Sequence, residues 1–371
     1  MKVLHVSETL KGGIETYLSE LIPLQTKKGY EVNLISQKNN IRGIRQYNFK
    51  NRGRLTNLVS LLILSLFFII RERPDVVHIH SSFAGVIRPF VYLAKRLFFI
   101  KMRIIYCSHG WPFTISPNQA INFTYKVIER FLSFFCDCII CISSDEANQA
   151  IKLGINSNKL SVIHNGVSDS KAISDNSEEN ENILKLLFVG RFDRQKGIDV
   201  LLEAFEKSKR SDIQLNLVGD FVVSNSSLLK DGYKLNKKIK WYGWLDRNDI
   251  ENIYYESTAT VVSSRWEGFG LVAIESLRAG TPIICSAVGG LLDICQHGIN
   301  GYQFNLSVDE LTKVIDSLDK HALNIMGNAA RQTYLSNFTA EKMFQKTDIL
   351  YHPEPTFDLS SADASGTDLR S

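Results

Sequence analysis

The chain has 371 residues, 44% of them hydrophobic and 22% charged. That length exceeds one ordinary hydrophobic core and suits two domains, and the balance excludes a disordered or fibrous chain. The net charge of +4 hides an asymmetry: residues 1–165 carry 21 Lys and Arg against 10 Asp and Glu, so the first half is basic and the remainder acidic.

Residues 3–6, Val-Leu-His-Val, read as a buried strand that opens directly after Met1-Lys2, which predicts no secretory leader. Gly12 and Gly13 follow at a strand-to-helix junction. Such a turn lets backbone amides approach a ligand closely, although it is not a full G-x-G-x-x-G. A helix over 14–28 and a strand over 31–35 come next, then a basic loop over 38–54 without any acidic residue, then a helix over 55–71. The apolar run 58–70 is shorter than the ~18–20 residues that span a bilayer. His78 and His80 share one face of a strand over 75–80. Nearby sequence offers no third ligand, which favours a structural or cleft-lining role over a metal site.

An apolar and basic helix is predicted over 83–102 and a strand over 103–107, leading into Ser108-His109-Gly110-Trp111. Ligand sites of open α/β sheets gather at such strand ends. His109 there suits either a ligand contact or a histidine that satisfies loop carbonyls. Cys136, Cys138 and Cys141 lie in an apolar run over 131–143 that reads as a strand with buried thiols, since no second ligand cluster accompanies them. A helix opened by Asp145 and Glu146 and a strand over 160–163 complete the first half. Residues 168–182 are polar and aperiodic, as a linker would be.

The second half opens on a strand over 184–189, followed by Gly190-Arg191 and Lys196-Gly197. Glycine with two cations after a buried strand suits phosphate. Strands over 213–218 and 239–245 end at Gly219-Asp220 and Trp244-Leu245. Residues 258–285 then give strand, glycine turn, helix and strand: Val261-Val262, the turn Glu267-Gly268-Phe269-Gly270, a helix over 271–278, and Ile283-Ile284-Cys285. The amides of Phe269, Gly270 and Leu271 open that helix and form an anion site. Glu267 and Glu275 beside it are poor phosphate ligands and good hydroxyl acceptors. Phosphate flanked by hydroxyl-rich groups describes a nucleotide-sugar. Glycines that only permit the turn, with glutamates that only favour the helix N-terminus, would give the same pattern.

Glu267 and Glu275, separated by seven residues and with Gly-Phe-Gly after the first, resemble the signature of the family 4 retaining glycosyltransferases. The resemblance implies the GT-B fold: α/β, with two Rossmann-like domains facing each other across a cleft. It divides the chain into an acceptor-side domain over 1–167, a linker over 168–182, a donor domain over 183–336 and a terminal helix over 337–351; residues 352–371 lie beyond the resemblance, and their Pro, Ser and Asp content reads as a disordered tail. It gives Glu267 the donor sugar's hydroxyls and Glu275 the ribose. Arg191 and Lys196 match the diphosphate-binding pair, and Gly12 and Gly13 face the diphosphate across the cleft. His109 contacts the donor sugar near the reacting centre, while Gly219, Asp220, Trp244 and Leu245 lie on the base and ribose side.

The resemblance thus implies transfer of a sugar, with retention, from a nucleotide-sugar to a lipid-linked or growing saccharide acceptor in surface-polysaccharide synthesis. Neither a cofactor nor an essential metal is expected. A GT-B sugar-nucleotide epimerase shares the donor site and stays open as an alternative. A nicotinamide-dependent oxidoreductase would use Gly12-Gly13 but gives no reason for Glu267, Glu275 and Arg191 together. Residues 42–103 hold 12 basic residues against Glu72 and Asp75, interleaved with Phe, Leu and Ile. That pattern matches no nucleic-acid-binding motif and suits an anionic lipid surface. The expected location is the cytoplasm, with peripheral attachment to the inner face of the cell membrane.

Overall fold

The computed structural model describes residues 1–10, 12–37, 41, 43–114, 118–170, 183–221 and 236–352. The first domain contains β1 (Lys2–Ser7), α1 (Gly13–Lys27), β2 (Glu31–Gln37), β3 (Arg45–Phe49), α2 (Arg54–Glu72), β4 (Val76–His80), α3 (Ser82–Gly85), α4 (Arg88–Leu97), β5 (Arg103–Cys107), α5 (Gln119–Leu132), β6 (Cys138–Cys141), α6 (Ser144–Lys152) and β7 (Leu160–Val162). The second contains β8 (Leu184–Val189), α7 (Ile198–Lys207), β9 (Ile213–Val218), β10 (Ile239–Gly243), α8 (Arg247–Glu256), β11 (Ala259–Val262), α9 (Leu271–Arg278), β12 (Ile283–Ser286), α10 (Leu291–Ile294), β13 (Gly301–Phe304) and α11 (Val308–Ser317). Two further helices, α12 (Lys320–Asn337) and α13 (Ala340–Tyr351), close the described chain.

Each domain is built on one parallel sheet. The strand orders are β3-β2-β1-β4-β5-β6-β7 and β10-β9-β8-β11-β12-β13. Parallel strands need crossover helices on both faces, so central strands such as β4 and β6 are buried throughout. One core cluster runs from Val3, Leu34 and Ile105 through Ile142 and Ile163 to Phe269, Ala273 and Leu291, so the two domains share buried contact. The chain also crosses back: Val167 N–H donates to the Phe338 carbonyl, Ala340 N–H donates to the Val167 carbonyl, and α13 packs on α1.

Four expectations are corrected. The basic stretch 38–54 is not one loop, because Arg45–Phe49 pairs with β2 as a polar edge strand that buries only Phe49. The helix over 83–102 is two helices, and Pro89, which suits a first turn and breaks an interior, marks the second start. The strand over 131–143 shrinks to Cys138–Cys141, preceded by helix α5, which was not anticipated. Finally, α2 is 19 residues long, and its length and composition would suffice to cross a membrane. It nonetheless covers the sheet, with Leu61, Phe68 and Ile69 in the core. The six cysteines are free and buried, as read from sequence for Cys136, Cys138 and Cys141, although Cys136 precedes the strand. Residues 171–182 of the linker and 353–371 of the tail lie outside the described residues.

Candidate active site

Strand order reverses between β1 and β4 in the first sheet and between β8 and β11 in the second. The crevice beyond the carboxyl ends at such a switch point is where open α/β sheets bind ligands. Four predicted segments fall there: Gly12-Gly13 after β1, the loop to His109 after β5, 190–197 after β8 and 263–270 after β11. An ideal Cβ on Gly13 would lie 3.6 Å from Leu271 Cδ1, and one on Gly268 would lie 3.7 Å from Gly110 Cα. The loops of the first domain therefore face the glycine turn of the second at contact distance.

Lys196 Nζ donates to Glu267 Oε2 at 2.5 Å, and the Ser264 hydroxyl donates to the same oxygen at 3.1 Å. Both partners are largely buried, with side chains 18% and 11% exposed. A lysine carries three donors, so Lys196 can hold Glu267 and an anion together. Among the described residues, Glu267 Oε1 makes no hydrogen bond and is left to accept from hydroxyls.

The loops are locked by backbone proximity. A Cβ at Gly289 would sit 1.9 Å from the Glu267 carbonyl oxygen, and one at Gly197 would sit 2.0 Å from that of Ser263. No side chain fits at either place, so each glycine fixes the loop that carries the ion pair. Gly270 is the N-cap of α9, and the Ala273 amide is the first to bond back, to the Gly270 carbonyl at 2.9 Å. The amides of Leu271 and Val272 ahead of it have no partner within the helix and lie at the positive end of its dipole. Phe269 contributes only backbone, because its ring is buried against His164 and Phe338.

Glu275, inside α9, accepts a hydrogen bond from the buried Tyr254 hydroxyl at 3.1 Å. Arg191 is half-exposed; it donates to Gln195 Oε1 at 2.9 Å and lies 3.3 Å from Asp193. It belongs to the same loop as Lys196 without touching Glu267. Gly219 and Asp220 sit beside it: the Phe192 amide bonds the Asp220 carbonyl, and Trp241 Nε1 donates to the Gly219 carbonyl at 2.8 Å. Leu245 packs near Val189 and Val218 at the end of β10, and Trp244 is exposed next to it.

His109 adopts a left-handed backbone conformation, φ 54°, uncommon for a residue with a side chain. Its Nε2 lies 3.0 Å from His80 Nδ1, and Tyr17 packs edge-on to its ring. Burial keeps the imidazole neutral by lowering its pKa to about 3. Beneath this loop the Trp111 indole N–H donates to the Glu146 carbonyl, and the buried Glu146 carboxyl is pushed up to about 8 by desolvation.

The third histidine missing from the local sequence is His5. Its register on β1 places it beside His78, and one ring nitrogen from each of His5, His78 and His80 lies within 4.8 Å of the others. A metal would compete with bonds already made. His5 Nδ1 meets His80 Nε2 at 2.9 Å, His5 Nε2 meets Gln25 Oε1 at 2.9 Å, and His78 Nδ1 meets the Tyr351 hydroxyl at 2.8 Å. The cluster therefore reads as a hydrogen-bonded network. Gln25, Tyr254 and Tyr351 carry no sequence signal for their roles. His5 carries none either: within-strand alternation pairs His78 with His80, but only the register of β1 on β4 brings His5 to them.

Comparison with known proteins agrees with this geometry. Residues 11–171 match the family Glycosyltransferase Family 4, and residues 169–333 match Glycosyl transferases group 1. A Klebsiella pneumoniae protein described as an uncharacterized 41.2 kDa protein in the cps region is 30% identical, covering 94% of this chain and 97% of its own. The Escherichia coli UDP-Gal:alpha-D-GlcNAc-diphosphoundecaprenol alpha-1,3-galactosyltransferase is 27% identical, covering 95% and 96%. The crystal structure of Anabaena Alr3699/HepE in complex with UDP superposes with a TM-score of 0.79 at 20% identity, covering 94% and 98%. Two facing parallel-sheet domains, a lysine–glutamate pair at the second switch point and these matches together identify the chain as an enzyme of glycosyltransferase family 4 with the GT-B fold.

Proposed function

We propose that this enzyme transfers a sugar from a nucleotide-sugar, with UDP as the nucleotide, to a lipid-linked or growing saccharide acceptor, with retention of configuration, in surface-polysaccharide assembly. The observation that carries the reading is the Lys196–Glu267 pair beside the N-terminus of α9, faced by Gly13 and Gly110 of the other domain. The diphosphate would lie on the α9 amides with Lys196 and Arg191 around it, so that protein cations rather than an essential metal meet its growing charge. Glu275 would hold the ribose, and Trp244, Leu245, Gly219 and Asp220 the base side. Gly12 and Gly13 would close on the diphosphate from the first domain. Glu267 Oε1 and His109 would take sugar hydroxyls.

Glu267 is engaged by Lys196 and Ser264, which makes its carboxylate a weak nucleophile and favours front-face attack over a covalent sugar intermediate. The bond from the anomeric carbon to the phosphate oxygen breaks, the bond to the acceptor oxygen forms, and the acceptor's proton passes to the departing phosphate. The uridine and the lipid-linked acceptor are supported by the name of the Escherichia coli relative. The test is incubation with UDP-sugars and a polyprenyl-diphosphate-linked saccharide, reading the anomeric configuration of the product by NMR. An inverted product would overturn retention, loss of activity in chelator would overturn metal independence, and acceptor-independent change of the donor sugar would favour the epimerase.

The same proposal places the first domain on an anionic membrane. α4 packs on α2 and is tied to α5 by the Arg88–Glu129 pair, and the three expose apolar side chains: Leu55, Ile63 and Phe67 on α2, Phe90, Leu93 and Leu97 on α4, and Phe123, Val127 and Phe131 on α5. Exposed Arg54, Arg71, Arg96 and Lys126 border them. Each basic residue near the headgroups contributes about 1 kcal/mol. Two cations drop out of the sequence-based set. Arg88 is fully buried, paired with Glu129 at 2.6 Å and stacked on Tyr106, and Lys95 pairs with Asp137 at 2.9 Å. Co-sedimentation with vesicles of graded anionic content tests this. Equal binding to neutral vesicles, or undiminished binding when Arg54, Arg71, Arg96 and Lys126 become Glu in a folded variant, would refute it.

A further inference from the structure

A continuous chain of hydrogen bonds runs from the cleft to the terminal helix. It passes from His109 to His80 at 3.0 Å, from His80 to His5 at 2.9 Å, from His5 to Gln25 at 2.9 Å and from Gln25 to Tyr351 at 3.0 Å. Five segments supply it: the loop after β5, the end of β4, the interior of β1, α1 and α13. His80, His5, Gln25 and Tyr351 are all buried. We propose that His80, His5 and Gln25 are positioning residues that fix His109 in a single neutral tautomer, protonated at Nε2, so that Nδ1 presents a lone pair to a hydroxyl of the donor sugar. The inference rests on the reading that His109 contacts the donor.

The direction of the chain follows from its far end. Gln25 Nε2 donates to the Tyr351 hydroxyl, so Gln25 Oε1 faces His5 and can only accept. His5 Nε2 therefore carries hydrogen. A neutral ring has one N–H, so His5 Nδ1 is an acceptor and His80 Nε2 must donate to it. By the same rule His80 Nδ1 accepts, and His109 Nε2 donates. Among the described residues nothing bonds His109 Nδ1, and the residue is only half-buried by surface area. A hydroxyl donating to that nitrogen fits; a protonated ring would repel the lysine and arginine on the facing loop. The Tyr351 hydroxyl in turn donates to His78 Nδ1 at 2.8 Å, and burial holds the His78 ring neutral, so the chain acts as a tautomer lock. Burial supports this by holding the rings neutral: His5 is lowered to about 4, and His78 and His80 are lowered well below the ordinary histidine range.

The experiment reads the tautomer directly, by long-range nitrogen–proton NMR on the full chain labelled at histidine, with His109 assigned through His109→Asn. The expected result is one neutral form protonated at Nε2. Protonation at Nδ1, or an even mixture, overturns the proposal without the need for any variant. Turnover supplies the second arm. His80→Leu removes both bonds and lowers kcat/KM for the donor by about three- to tenfold, the worth of one hydrogen bond. His80→Asn keeps an acceptor near the Nδ1 position and restores most of that loss. A folded His80→Leu with full turnover overturns the lock, as does His80→Asn no better than His80→Leu. Full turnover in His109→Ala, with the tautomer as expected in the unaltered protein, instead overturns the donor contact on which the proposal rests.

Discussion

Replacing Lys196 by Met keeps an unbranched chain of similar length and removes the charge. In the donor-free enzyme this leaves Glu267 Oε2 with only the Ser264 hydroxyl as partner. The larger effect falls on the reaction. A cation about 4 Å from the charge developing on the departing diphosphate, at the effective dielectric of a protein crevice, is worth about 4 kcal/mol. That converts to roughly a thousandfold in rate, similar to the loss of one oxyanion donor. The expected result is a fall of about 10²–10³ in kcat for nucleotide release. Lys196→Arg, which restores the charge, should recover part of it. The assay is coupled detection of released nucleotide with acceptor present, with circular dichroism to confirm the fold. A folded Lys196→Met within threefold of the unaltered enzyme would refute the role of this cation.

Gly289→Ala should cost at least tenfold in activity, because its Cβ would lie 1.9 Å from the Glu267 carbonyl and the loop must move. Gly298→Ala, with positive φ but open space around it, should lose about 1 kcal/mol of stability and keep its activity; equal loss in both variants would contradict the steric argument. Tyr254→Phe leaves Glu275 without its hydroxyl donor and should weaken nucleotide binding about three- to tenfold, measured by titration calorimetry, with unchanged affinity counting against it. Two groups give opposite pH dependences of stability, and their windows overlap between pH 4.5 and 6.5. His5, ordinarily near 6.5, is held near 4 when folded, so the unfolded chain binds more protons between those values and stability falls as pH drops through that window. Glu146, ordinarily near 4.5, stays protonated to about 8 when folded, so its contribution is lost as pH rises from 4.5 to 8. Chemical denaturation of Glu146→Gln at pH 5 and pH 8 should show the alkaline loss reduced, whereas a curve parallel to the unaltered protein would refute the assignment.

The glycine turn, both glutamates and the paired cations were legible because each lies in a short strand–turn–helix segment whose pattern is local. The boundaries of β5, β8, β9 and α9 followed from the same short-range rules. What failed was non-local or aperiodic. α5 is the exception: its polar residues Asn122, Lys126, Glu129 and Arg130 recur at helical spacing, yet only its last residues, Phe131 and Leu132, entered the run read as a strand. β3 is a polar edge strand and looks like a loop. Arg88 reads as a surface cation until Glu129, 41 residues away, is brought onto it. The histidine chain was hidden for the same reason, since its links join segments up to 326 residues apart.

The central claim is that the diphosphate of the donor lies on the α9 N-terminus, between Lys196 and Arg191, with the ribose on Glu275. A crystal structure with UDP tests it most directly. The account predicts phosphate oxygens within hydrogen-bond distance of the Leu271 and Val272 amides and of Lys196 Nζ, and ribose hydroxyls on Glu275. UDP bound with its phosphates out of reach of that helix terminus, or its ribose away from Glu275, would contradict it.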